Sequence, residues 1–212
     1  LSTLERAWCD EVFNHFPHLT TAVLHGSRDK RLKMLNTEAD IYVINHDGLK
    51  VSGMVDELNK RNDIDLVIID EVSQAARTAS SDRWKSLAKV VRHEIAKGVQ
   101  RMAWGLTGTP VPNNPTDAWA QCRLIVPERV PPYFNSFKNQ VMRQVGQFSW
   151  VPKQEAQDVV FEAMQPAIRF SRDECVDLPE CVYQTREVEL TPQQAKAYKD
   201  MLNRLRAEID AG

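Results

Sequence analysis

Four consecutive apolar residues, Leu66-Val67-Ile68-Ile69, run straight into two adjacent carboxylates, Asp70 and Glu71. The run is short and largely β-branched, with no alternation of apolar and polar residues. It therefore reads as a strand buried on both faces, of the kind that builds parallel sheets. Acid at the carboxyl end of such a strand stands where α/β proteins bind ligands. One carboxylate there can hold Mg2+ while its neighbour polarises a water. The same two residues would also suit the start of a loop, or a cap for a helix beginning near Val72.

A second run narrows the choice. Residues Arg101 to Leu106 predict another strand, and Thr107-Gly108-Thr109-Pro110 follows it. Gly108 lets the backbone turn tightly, Pro110 fixes φ, and the hydroxyls of Thr107 and Thr109 are free to face the acid pair. An ordinary strand-to-helix turn capped by threonines carries the same residues. Further strands are predicted at Thr21–His25 and Ile41–Asn45. A helix capped by Ser2 or Thr3 carries Leu4, Trp8, Val12 and Phe16 on one face, and Pro17 stops it. Helical segments are also predicted over 28–35 and 51–60. Another starts at Ser81 or Asp82, with Trp84, Leu87, Val91 and Ile95 inward and Gly98 closing it. Strands alternating with helices predict an α/β fold, a mainly parallel sheet with helices on both faces. Beyond Pro110, frequent prolines punctuate short helices near 116–126, 133–146 and 153–164. Tyr183–Leu190 alternates and predicts an edge strand. Thr191 and Pro192 then open a last helix with Ala195, Tyr198, Leu202 and Leu205 on one side.

These residues carry a resemblance. Asp70-Glu71-Val72-Ser73 resembles motif II, the Walker B or DEAD/DEAH box, of superfamily 2 helicases. Gly105-Leu106-Thr107-Gly108-Thr109-Pro110, with Asn113 beyond, resembles motif III of their Snf2-like branch. Leu1-Ser2-Thr3-Leu4 with Trp8 and Glu11 is similar to the end of motif Ia, and Val43-Ile44-Asn45-His46-Asp47 to motif Ib. Arg169-Phe170-Ser171-Arg172 with Leu178-Pro179 resembles the segment leading into a second RecA-like domain. Leu190-Thr191, Gln194 and Tyr198 resemble that domain's opening. The resemblance implies a partial first RecA-like domain over 1–170, then a linker and the beginning of a second over 171–212. It also implies an ATP-dependent DNA helicase or translocase using ATP and Mg2+, with DNA, in duplex form, as partner. Asp70 would bind Mg2+ through the metal's water shell, and Glu71 would orient or deprotonate the attacking water. Thr107, Gly108 and Thr109 would couple the nucleotide to domain closure. Val72 and Ser73 depart from the common forms of motif II, so Ser73 can hydrogen-bond toward motif III but cannot form an ion pair there. Gln74 is a second polar candidate for that bridge.

No Gly-x-x-x-x-Gly-Lys-Ser/Thr occurs in the 212 residues. In the family that phosphate-binding loop precedes motif Ia. The expectation is therefore an internal piece of a longer protein, inactive alone, its sheet lacking the phosphate-loop strand and prone to self-association through exposed edges. Net charge is -2, so contact with nucleic acid must use local patches. The candidates are Arg28, Lys30, Arg31 and Lys33 in a basic cluster, together with Ser2, Thr3, Asn45 and His46 from the motif Ia and Ib segments, and Lys138 and Arg143 on the helix predicted near 133–146 would add to a DNA-facing surface. A solvated face explains such a cluster equally. The 4 cysteines show no Cys-x-x-Cys spacing and read as free thiols in a reducing cytoplasm, and the compact linker between the two halves suggests a bacterial or viral-host cell. Two other classes remain in view. One is a non-catalytic DNA- or protein-binding module derived from a helicase domain. The other is a Mg2+-dependent nuclease, for which Asp40, Asp47 and Asp65 would have to converge on the acid pair.

Overall fold

The computed structural model describes residues 5–175 and 182–210. A π-helical turn, Glu5–Asp10, continues into α1 (Glu11–His15). Then come β1 (Thr21–Val23), α2 (Arg28–Leu35), β2 (Ile41–Val43), a 3-10 turn at His46–Lys50, α3 (Met54–Asn59), β3 (Leu66–Ile69), α4 (Val72–Ala75) and α5 (Asp82–Val91). The hairpin strands β4 (Glu94–Ala96) and β5 (Val99–Gln100) precede β6 (Met102–Gly105). The rest comprises α6 (Asp117–Ile125), a 3-10 turn at Pro127–Arg129, α7 (Phe134–Val141), β7 (Met142–Gln144), β8 (Trp150–Pro152), α8 (Ala156–Ala163), α9 (Arg172–Cys175) and α10 (Pro192–Asp210). The chain divides into compact units at 1–167 and 168–212.

The fold is mixed α/β with small parallel sheets, compatible with a RecA-like domain. β1 pairs β2 in parallel across the α2 crossover, and β3 pairs β6 in parallel, Leu66 beside Met102 and Ile69 beside Gly105. Among the described residues the two parallel pairs are separate sheets, not the single sheet expected from the alternation of elements. Helices cover one face of the β3–β6 pair, not both. Val67, Ile69 and Ala103 point into a core with Leu24, Leu35, Met54, Leu58, Leu87 and Leu124. On the opposite face Ile68, Met102 and Trp104 are exposed, since no described element packs there.

A second core gathers Ala118, Cys122, Phe137, Val141, Met142 and Val160. α6 serves both cores, with Leu124 in the first and Ala118 and Cys122 in the second. Burial pushes the Cys122 thiol up to about 11.

Three boundaries differ from the sequence reading, each for a visible reason. α5 ends at Val91, not near Gly98: the Val90 carbonyl of its last turn accepts from the His93 amide (3.3 Å) and from Arg101 (3.1 Å). Gly98, at φ 75°, turns the β4–β5 hairpin instead of closing a helix. α7 ends at Val141, whose carbonyl accepts from the Lys153 amide (3.0 Å), and residues 142–152 form a second hairpin. The strand expected over 183–190 does not form: residues 182–190 have no regular structure, and no described strand runs beside them. In the 168–212 unit, Thr191 caps α10. Its hydroxyl accepts from the Gln194 amide (3.3 Å) while the Gln194 side chain accepts from the Thr191 amide (3.1 Å).

Among the described residues no helix is long and apolar enough to cross a membrane. Cys9, Cys122 and Cys175 carry free thiols; Cys181 lies outside the described residues.

Asp47 ties the turn after β2 to α5, accepting from Arg83 (2.8 Å) and Lys50 (2.9 Å). Its hydrogen bond to Arg83, then that to Lys50, holds its pKa down at about 2 against 3.8. A depressed carboxylate contributes stability above its unfolded pKa and loses it as pH falls through the folded value. The carboxylate is 59% exposed, so screening keeps its contribution below about 1 kcal/mol. Asp47→Asn is expected to flatten the fall in stability between the two pKa values; urea midpoints taken across that interval check it.

Candidate active site

The ends of β3 and β6 emerge side by side, and their pairing continues past both strands. The Leu106 amide donates to the Ile69 carbonyl (2.9 Å), and the Val72 amide donates to the Leu106 carbonyl (2.9 Å). This lattice holds Asp70-Glu71 against Thr107–Pro110. Ser73, buried on the first turn of α4, shares a 2.8 Å hydrogen bond with the Thr107 hydroxyl. Thr107 Oγ1 also accepts from the Thr109 amide (3.2 Å), which fixes the bend. Gln74 is exposed; the contact to the threonine loop is made by Ser73.

The two glycines of this segment exchange the roles their positions suggest. Gly108 does not take positive φ, and a Cβ there would meet nothing within 4 Å. Gly105 is the one the packing requires. A Cβ on it would lie 3.0 Å from Val72 Cγ1, so a larger residue would force the Val72 side chain to give by a few tenths of an ångström.

Asp70 and Glu71 are both exposed at the open carboxyl end of the strand pair. Asp70 Oδ1 accepts from the Glu71 amide (3.0 Å). Glu71 has φ 47° and ψ 50°, a left-handed backbone that costs a residue with a Cβ about 1–2 kcal/mol. Its carbonyl accepts from Gln74 (2.9 Å) and Ala75 (3.0 Å), starting α4. Among the described residues no group of three or more His, Cys, Asp or Glu could hold a metal by itself. Asp70 offers one exposed, hard, monodentate carboxylate. That suits a Mg2+ ion keeping most of its waters and taking its other oxygens from a nucleotide.

Behind the threonine loop, Gln121 of α6 donates to the Pro110 carbonyl (2.6 Å) and Asp117 accepts from the Asn113 amide (2.9 Å). Neither residue was expected in the site. Gln121 carries a signal all the same, a polar residue beside Ala118 and Cys122 on the apolar side of its helix.

Arg101 sits one residue before β6 and is 4% exposed. Its guanidinium donates to the carbonyls of Ile64 (2.9 Å), Val90 (3.1 Å), Leu58 (2.7 Å) and Arg61 (2.8 Å) and to Asn59 Oδ1 (2.8 Å). All five donors are used, and the ends of α3 and α5 are locked to the start of the site strands.

The expected nucleic-acid residues do not form one surface. Arg31 is buried, donating to the carbonyls of Leu24 (2.5 Å) and Gly26 (2.9 Å) and to Asn45 Oδ1 (3.3 Å). Arg31 and Asn45 thus brace the β1 and β2 loops over Gly48, and the fold, not solvent, takes up that charge. Arg28 donates to the Ser52 carbonyl (2.9 Å) and stays exposed, as does Lys30, while His46 is half-buried. Ser2 and Thr3 lie outside the described residues.

Ser73→Ala should lower stability by about 1 kcal/mol. In a double-mutant cycle with Thr107→Val, measured by urea unfolding, a coupling of about 0.5–1.5 kcal/mol is expected. Additivity within about 0.3 kcal/mol would mean the hydroxyl pair joins nothing.

A sequence profile described as SNF2-related domain matches residues 1–212. Protein p41 of Acyrthosiphon pisum secondary endosymbiont phage 1 is 26% identical over 152 residues. That match covers 68% of this chain and 32% of p41, so the chain spans about a third of that relative's length.

Proposed function

This chain belongs to the SNF2-related domain family, and on that premise we propose that it provides the hydrolytic acid pair and the coupling loop of an ATP-driven motor acting on duplex DNA. The observation that carries the reading is the joined end of β3 and β6, where Ser73 and Thr107 link the acid pair to the threonine bend. A bound Mg2+ ion would offset the charge building on the nucleotide's phosphates. Asp70 would hold the hydrated ion from the strand end. Glu71, on its left-handed backbone, would orient the attacking water and accept its proton. The hydroxyl pair would pass a displacement at the acids to the bend, and thence to Pro110 and α6 through Gln121.

Among the described residues no second strand pairs β6 and nothing covers its outer face, which supports a sheet that continues in other residues, among them a phosphate-binding loop. Domain limits of 1–170 and 171–212 belong to the same proposal. Arg28, Lys30 and His46 remain the exposed or half-exposed candidates for DNA phosphates.

The experiment is Mg2+-dependent ATP hydrolysis by the whole polypeptide that contains this chain, with and without duplex DNA. Hydrolysis stimulated by duplex is the expected result, with none from the 212 residues alone. A polypeptide that binds DNA but never turns over ATP would replace the motor with a DNA-binding module that uses Asp70 and Glu71 only as structure.

A further inference from the structure

We propose that the β7–β8 hairpin is a platform for single-stranded nucleic acid, with a base stacked on Phe148 and a backbone phosphate held by Arg143. The inference is independent of the nucleotide site. It starts from charge. The chain carries 29 acidic residues in 212, yet the 26 residues between Glu128 and Glu155 contain none. That stretch holds four cations, Arg129, Lys138, Arg143 and Lys153, in a chain of net charge -2. Such a local field attracts a polyanion that the molecule as a whole does not.

The structure shows how the stretch is presented. β7 and β8 pair with Gln144 beside Trp150. The loop between them is closed by hydrogen bonds from the Val145 and Gly146 amides to the Ser149 carbonyl (3.0 and 3.3 Å). The Gln144 side-chain amide donates to the carbonyls of Gly146 and Gln147, 3.0 Å each, and braces the loop from inside. On this prebuilt tip Phe148 is 88% exposed, which leaves its ring free on both faces. A phenyl ring held clear of the surface on an ordered turn gains nothing from the protein's own core. It is suited to stack on a planar partner.

Charge and geometry agree on which strand face is offered. Met142 points into the second core, and Trp150 packs against that core with Lys138 Nζ 3.8 Å from its ring centroid. Arg143 is on the alternate, outward face and is exposed. The tip ring and an outward guanidinium thus stand on one two-stranded support. Base stacking on an aromatic side chain requires an unpaired base, because in a duplex the bases already stack on each other. The occupant inferred is therefore single-stranded.

The test uses the 212-residue chain without ATP or Mg2+. Fluorescence anisotropy is read on a labelled oligo-dT of roughly 15 nucleotides, a length within the span single-strand binding folds occupy. Saturable binding is expected. Phe148→Ala should weaken it about tenfold, Phe148→Trp should restore it, and Phe148→Leu should not. Arg143→Gln should lower the slope of log affinity against log salt by about 0.7, the value for one phosphate contact on a single strand. Phe13→Ala, at an aromatic residue 71% exposed on α1, should leave binding unchanged. Circular dichroism of each variant separates lost contacts from lost fold. No binding by the folded wild type would overturn the proposal. So would a Phe148→Ala variant within twofold of it, full binding by Phe148→Leu, or equal loss in Phe13→Ala.

Discussion

Arg101→Ala is expected to lower the stability of the unit spanning 1–167 by about 3–5 kcal/mol, the loss found when a buried charge-assisted network is broken. That is a large part of the total stability of an ordinary domain. The Ile64 and Arg61 carbonyls and Asn59 Oδ1 would lose this donor outright, while the Leu58 and Val90 carbonyls would keep only the Arg61 and His93 amides. The damage is specific in kind, because those carbonyls end α3 and α5 or lie on the segment entering β3. The helix ends would fray and the β3–β6 register would lose its anchor. Arg101→Lys should recover little, since an ammonium has three donors and cannot span a planar fork. Urea unfolding followed by circular dichroism reads both variants. A loss below about 1 kcal/mol for the alanine variant would show that water replaces the guanidinium without penalty.

Glu71→Gln, in the polypeptide that hydrolyses ATP on the proposed reading, should lower kcat by about 10²–10⁴, the contribution of a positioned general base. The amide has the carboxylate's shape and can still accept a hydrogen bond from water, but it cannot take a proton. Affinities for nucleotide and DNA should change little, because the lost interaction belongs to the transition state. Single-turnover hydrolysis together with nucleotide titration separates the two. A kcat within tenfold of the wild type would move the base elsewhere.

What the sequence makes legible follows the reach of each signal. The β3 and β6 strands and their adjacency could be read because an apolar run and its punctuation are local. The acid pair and the threonine bend then came together at the expected strand ends. The helix ends at Val91 and Val141 could not be read, because distant partners decide them. Ile95 continues the helical spacing of Val91, and the donors to the Val90 carbonyl, His93 and Arg101, show only in the structure. Arg31 looked like part of a solvated basic face because a charge run does not say which cation turns inward. It turned toward the Leu24 and Gly26 carbonyls, where the chain leaves β1. The sequence of Tyr183–Leu190 has the alternation of a strand but not the neighbour a strand requires. The left-handed backbone at Glu71 had no signal at all, since glutamate is a poor residue for it.

That last feature offers a genetic gauge. Glycine occupies a left-handed backbone without penalty and asparagine tolerates it, so selection for stability alone would favour either at position 71, each worth a fraction of the 1–2 kcal/mol noted above. A glutamate kept at that position across related sequences would show that activity, not stability, holds it there.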